Sequence, residues 1–100
     1  EYGSVPDCGS ICDMIFNATC KRPFVIGKPS PLMIRLAMEK EGCSPLETAV
    51  IGDRIYTDIK SGLNAGALSV LVMSGETTPE ILEKSADKPD IVLENAGQIM

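Results

Sequence analysis

Short apolar runs alternate with helix-length segments along this chain, and that alternation is its strongest constraint on fold. Ala49, Val50 and Ile51 form one such run, and Leu68-Ser69-Val70-Leu71-Val72-Met73 is the clearest. Phe24-Val25-Ile26 and Ile91-Val92-Leu93 add two more. Runs this brief and continuous suit strands of a parallel sheet that is covered on both faces. Residues 1–9 are polar and turn-rich. Residues 10–20 place Ile11, Met14/Ile15 and Ala18 at helical spacing, with Ser10 as the cap. Ser30 and Pro31 suit the N-cap and first position of a helix that Gly42 ends. Its apolar side reads as Leu32/Met33, Leu36 and Ala37/Lys40. Ser44-Pro45-Leu46-Glu47 is a capping-box turn. Ile55, Ile59 and Leu63 make the stripe of a third helix ending near Asn64-Ala65-Gly66, and Thr77-Thr78-Pro79-Glu80 starts a fourth that fades at Ser85. Lys88-Pro89-Asp90 is a turn before the last run. The order α-β-α-β-α-β-α-β predicts an α/β fold, a parallel sheet with helices on both faces.

Composition removes several functions. No apolar run approaches the ~20 residues that span a bilayer, and the first residues are neither basic nor apolar, unlike a secretory signal. A cytoplasmic protein is expected, with an internal start because no Met opens the chain. Net charge is −5 and Lys21-Arg22 is the largest basic cluster, so no nucleic-acid partner is expected. The absence of histidine removes Ser–His and Cys–His nucleophiles. The four cysteines form no C-x-x-C, which argues against a zinc framework. Cys8 and Cys12 share a helix face and are read as buried free thiols, and all four cysteines as reduced. With 44% hydrophobic residues the chain can build a core, as one small domain or part of a larger one.

Two loops carry the candidate chemistry. The run 49–51 stops at Gly52 and meets Asp53, just past the carboxyl end of a strand, where open α/β sheets bind ligands. Gly52 has no Cβ, so the backbone can turn there and admit a ligand. Asp58 follows at the start of a helix. Two carboxylates on one strand-to-helix loop suit Mg²⁺, although Asp53 also suits a loop hydrogen bond and Asp58 the positive end of a helix. In the other loop, Lys28 follows a strand, adjoins Gly27 and precedes a helix N-terminus, a position that favours anions. A solvated surface lysine is the alternative. If both strands run the same way, Lys28 and Asp53 share one sheet edge, which suggests phosphoryl chemistry.

As a set these motifs resemble the haloacid dehalogenase (HAD) superfamily, nearest its NagD-like, 4-nitrophenylphosphatase-like subfamily. The resemblance rests on Gly27-Lys28-Pro29-Ser30-Pro31, on Gly52-Asp53-Arg54-Ile55-Tyr56-Thr57-Asp58-Ile59, and on their spacing. It continues through Ser61-Gly62-Leu63-Asn64-Ala65-Gly66 and Leu71-Val72-Met73-Ser74-Gly75-Glu76-Thr77-Thr78. It implies a Rossmann-like core and a Mg²⁺-dependent phosphatase that hydrolyses small phosphorylated metabolites through an aspartyl-phosphate. Lys28 then matches the catalytic lysine that steadies nucleophile and phosphoryl group. Asp53 matches the acid that completes the Mg²⁺ site, and Asp58 the second acid, which orients metal-bound water or the lysine. Gly27, Pro29, Gly52 and Arg54 are assigned to phosphate contact or to shaping the loops.

The family's nucleophile lies in a D-x-D motif, and no D-x-D occurs here. The family's cap domain, which largely sets substrate, precedes the lysine and has no counterpart. Residues 1–100 are therefore expected to be the C-terminal portion of a HAD core domain. The strand resembling 24–27 would be separated from its sheet, leaving unpaired edges to be met by a missing N-terminal part or a second copy. The alternative is a non-catalytic association module that keeps the metal and phosphate edge.

Overall fold

The computed structural model describes residues 6–99; the turn-rich opening expected over 1–9 lies partly outside them, at 1–5. Three parallel strands, β1 (Ala49–Gly52), β2 (Leu68–Val72) and β3 (Ile91–Leu93), pair in the order β1-β2-β3. Four α-helices accompany them: α1 (Cys8–Thr19), α2 (Leu32–Glu41), α3 (Lys60–Ala65) and α4 (Pro79–Lys84). This is the expected α/β arrangement. Among the described residues no helix is long and apolar enough to cross a membrane.

Each connection has a local cause. Gly42 and Gly66 end α2 and α3 with φ of 68° and 74°, the left-handed region that suits glycine. In the turn at Pro45–Glu47, the Glu47 carboxylate accepts from the Ser44 N–H at 3.0 Å and the Ser44 hydroxyl at 2.7 Å. Those two bonds hold the Glu47 carboxyl below its usual range. The Thr78 hydroxyl caps α4 through the Ile81 N–H, and Pro79 fills its first turn.

Two buried clusters pack on one face of the sheet. Ile55, Ile59 and Leu71 form one buried cluster, with Leu63, Met73 and Leu82 against it. Met38, Ala65 and Ala67 form a second, flanked by Ile34 and Val50. Gly62 lets α3 lie close to the strands, since a Cβ there would sit 2.6 Å from Ser69 Oγ and 3.1 Å from Val50 Cβ. Side chains alternate along a strand, so Ile51, Val70 and Ile91, which stand in register, point to the opposite face. There Ile51 remains 45% and Ile91 41% exposed.

Four local expectations need correction. Residues 24–27 are not a strand: Phe24 is 83% exposed, and no described segment pairs with them. A parallel strand exists only through its neighbour's hydrogen bonds, and here that neighbour is lacking. The cap of α1 is Asp7, not Ser10, because the Asp7 carboxylate reaches the Ser10 N–H at 2.9 Å. On α2 the buried face is Ile34 and Met38, while Met33 and Leu36 point outward. Small Ala65 and Ala67 give Met38 room on that side. The cysteines are free, as expected, but Cys8, Cys20 and Cys43 are exposed and Cys12 half-buried. Helix α1 buries none of its residues, so its thiols have nothing to sink into.

The chain exposes more surface than a self-contained unit of its size. Its accessible surface is 7341 Å², against roughly 5,500 Å² for a monomer of this mass. Its radius of gyration is 15.6 Å, against about 13 Å for a 100-residue domain. The isolated 100 residues are therefore expected to lack a cooperative thermal transition as a monomer. Calorimetry with light scattering checks this; a sharp monomeric transition would contradict it.

Candidate active site

The site forms where β1 and β2 end. After Gly52, the chain passes through Asp53 and Arg54 into a π-helical turn (Ile55–Ile59) that runs directly into α3. Asp58 therefore sits inside the first turn rather than at the start of the helix. It is buried, and both its oxygens are used: Oδ1 accepts from Lys28 Nζ at 2.5 Å and Oδ2 from the Arg54 N–H at 3.2 Å. Its carbonyl accepts from the Ser61 hydroxyl at 2.8 Å. Gly52 gives Asp58 its room: a Cβ on Gly52 would lie 2.2 Å from Asp58 Cβ.

The loop at 27–30 delivers Lys28. It closes through the Ser30 N–H to the Gly27 carbonyl at 3.0 Å, with the Lys28–Pro29 peptide cis. Ser30 Oγ accepts from the Leu32 N–H at the start of α2. The loop is tied to α3 by Asn64, whose amide donates to the Pro29 carbonyl at 3.1 Å. Gly27 has open space where a Cβ would be, so sterics alone do not demand glycine there. The Lys28 side chain is 56% exposed, so water screens its ion pair and the pair adds little stability. Its consequence is positional: it fixes an ammonium beside the carboxyl edge.

Asp53 is half-buried and held by the loop after β2. Its Oδ2 accepts from the Glu76 N–H at 2.8 Å, and its carbonyl accepts from the Thr77 hydroxyl at 2.6 Å. Gly75 permits this approach, since a Cβ there would lie 2.1 Å from Asp53 Oδ2. The Glu76 N–H holds the Asp53 carboxyl below its usual range, with smaller contributions from the Arg54 and Lys28 charges. Arg54 itself points to Glu76, Nε to Oε2 at 2.5 Å. The structure thus brings Lys28, Asp53 and Asp58 to one edge, and engages Arg54 with a carboxylate.

Sequence reasoning gave no role to Gly75, Glu76, Thr77 or Thr57. The first three follow the carboxyl end of β2, the same edge that marks Asp53, and that adjacency was the available signal. Thr57 Oγ1 is buried without a hydrogen-bond partner among the described residues. It lines one end of an open groove of about 760 Å³ with Lys28, the rest being mainly α1 and residues 22–27.

Mg²⁺ can be tested against these donors. Among the described residues no group of three or more His, Cys, Asp or Glu is arranged to hold a metal. Asp53 Oδ1, however, accepts no hydrogen bond from the described residues, and Asp53 is a carboxylate at the sheet's carboxyl edge. A Mg²⁺ site usually takes one or two carboxylates, with waters and substrate phosphate completing it. Asp53 fits as one such ligand; Asp58, with both oxygens taken, fits as a support.

A parallel sheet with this lysine and this carboxylate loop at its carboxyl edge is the architecture of a HAD-type hydrolase core. The chain belongs to the HAD-hydrolase-like family, whose model matches residues 25–99. It is 34% identical over 97 residues to the ribonucleotide monophosphatase NagD of Escherichia coli K12, covering 97% of this chain and 39% of that protein. It is 38% identical over 97 residues to a dihydroxyacetone phosphatase of Corynebacterium glutamicum, covering 97% of this chain and 35% of that protein. The crystal structure of a 4-nitrophenylphosphatase from Thermotoga maritima superposes with a TM-score of 0.90 at 47% identity, covering 99% of this chain and 38% of that one. The chain thus spans less than two fifths of the length of these relatives.

Gly52→Ala in the full-length protein is expected to displace Asp58 and with it Lys28, at a stability cost of roughly 1–3 kcal/mol from overpacking. Urea denaturation and turnover check this; wild-type values for both would show that the loop relaxes around the methyl.

Proposed function

We propose that this chain is the C-terminal portion of the core of a Mg²⁺-dependent phosphatase that hydrolyses small phosphomonoesters through an aspartyl-phosphate. The nucleophilic Asp would come from the part of the relatives' length that this chain does not span. The observation that carries the reading is the joint placement of Lys28, locked to Asp58, and Asp53, oriented by Glu76, at one sheet edge. The printed names of the relatives support the substrate class: a ribonucleotide monophosphatase, a dihydroxyacetone phosphatase and a 4-nitrophenylphosphatase.

Phosphoryl transfer asks a protein for positioning and for neutralisation of charge, more than for covalent work. Asp53 would hold the Mg²⁺, which supplies charge neutralisation to the phosphoryl oxygens when bound. Lys28, carried on a loop braced by Asn64 and Ser30, places an ammonium where phosphoryl oxygens and the nucleophile would meet. Asp58 keeps that ammonium from swinging into solvent. The half-buried Asp53 carboxyl, held low by the Glu76 N–H, stays ionised throughout the neutral range.

A second reading, a non-catalytic association module, draws on the exposed Ile51 and Ile91 and on the lack of a D-x-D in these residues. Mg²⁺ binding without hydrolysis, from a stable oligomer of this chain, would favour it.

Asp53→Asn in the full-length protein is expected to abolish Mg²⁺-dependent hydrolysis of 4-nitrophenyl phosphate. Lys28→Met is expected to lower kcat by roughly 10²–10³-fold, the usual cost of one charge-stabilising group. Steady-state kinetics with and without EDTA check both. Undiminished turnover in Asp53→Asn would remove that residue from the site.

A further inference from the structure

Arg54 is the neighbour of Asp53, and its position raises a physical problem. A guanidinium beside a carboxylate pairs with it readily, often through two parallel hydrogen bonds. An Arg54–Asp53 pair would occupy the oxygen that a cation needs. In the structure that pair does not form, because Glu76 takes the guanidinium instead, Arg54 Nε to Glu76 Oε2 at 2.5 Å. The other Glu76 oxygen accepts from the Tyr56 hydroxyl at 2.8 Å. The Glu76 backbone N–H, meanwhile, donates to Asp53 Oδ2 at 2.8 Å.

We infer that Glu76 is a positioning residue for Asp53: its backbone orients the carboxylate, and its side chain holds Arg54 away from the free Asp53 oxygen. Tyr56 fixes the second Glu76 oxygen, so the acceptor stays aimed at Arg54. The charge on Arg54 is still felt at Asp53, where it contributes to keeping the carboxyl ionised. The network thus keeps the long-range attraction and blocks the direct contact. Gly75 lets the loop lie this close, since any Cβ would strike Asp53.

This inference rests on Asp53 being a metal ligand, and the test separates the two. Mg²⁺ alone is titrated calorimetrically into the full-length protein and its variants. Glu76→Gln is expected to raise the Mg²⁺ dissociation constant about tenfold, as loss of a group supporting a ligand commonly does. Arg54→Gln added to Glu76→Gln is expected to return affinity to within about threefold of wild type, the non-additivity that marks two coupled residues. Should Glu76→Gln fail to fold, Glu76→Asp keeps the charge, shortens the reach and is expected to weaken binding in the same direction. Wild-type affinity in the folded Glu76 variant would overturn the inference. So would a double variant as weak as the single one, since Arg54 would then not be the competitor. Wild-type affinity in Asp53→Asn would overturn it by a different route, by removing the metal reading beneath it.

Discussion

The contact on which the site depends is that of Asp58 with Gly52. These residues are six apart in sequence, yet a single methyl on Gly52 would overlap the Asp58 side chain. That closeness buries the carboxylate, and a buried carboxylate must have its oxygens satisfied. One is satisfied locally, by the Arg54 N–H, and the other from 30 residues upstream, by Lys28. The result links three stretches of chain at one point. The wider π-helical turn at Ile55–Ile59 is what swings Asp58 back over the end of β1 while Ile55 and Ile59 reach into the core. Packing and chemistry are therefore set by the same turn.

The two acids of this loop are alike in sequence and opposite in circumstance. Asp58 is enclosed and fully engaged, so it can only hold something else in place. Asp53 is half-buried, braced on one oxygen by the loop after β2 and free on the other. A carboxylate braced on one side and free on the other is suited to ligation; one saturated by protein donors is suited to support. This division comes from burial and partner count, not from any difference in side-chain chemistry.

Much of this was legible in the sequence, because the strong signals are local. Short apolar runs bounded by turn residues marked β1, β2 and β3, and Gly42, Gly66, Ser44 and Thr78 marked turns and caps whose bonding spans three or four residues. Asp53 and Asp58 could be placed at the carboxyl edge because the strand direction in a parallel sheet follows from alternation with helices, whereas Lys28 was placed there through an expected strand over 24–27 and reaches the edge instead through its ion pair with Asp58. What was not legible depends on neighbours distant in sequence. Residues 24–27 have strand composition, but composition does not supply a ladder partner. The buried face of α2 was decided by two small alanines beyond β1, which let Met38 in. The bracing of Asp53 by Glu76 depends on two loops meeting after two different strands, and nothing within either loop announces it.

The open surfaces and the site point the same way. Ile51 and Ile91 flank buried Val70 and are themselves exposed, and α1 presents Ile11, Met14 and Ile15 with no buried residue of its own. Residues 22–28 line a groove that ends at Lys28 and at the Thr57 hydroxyl, which has no partner among the described residues. Apolar surface of this kind is costly to leave in water, at about 25 cal/mol per Å², whereas both Asp58 oxygens and one Asp53 oxygen find donors among these residues. Lys28, Asp53 and Asp58 are thus each held by these residues, while exposed apolar surface lies around them. Any element that covered the groove would lie beside Lys28 and Thr57, so burying its apolar lining and meeting the site's lysine would coincide.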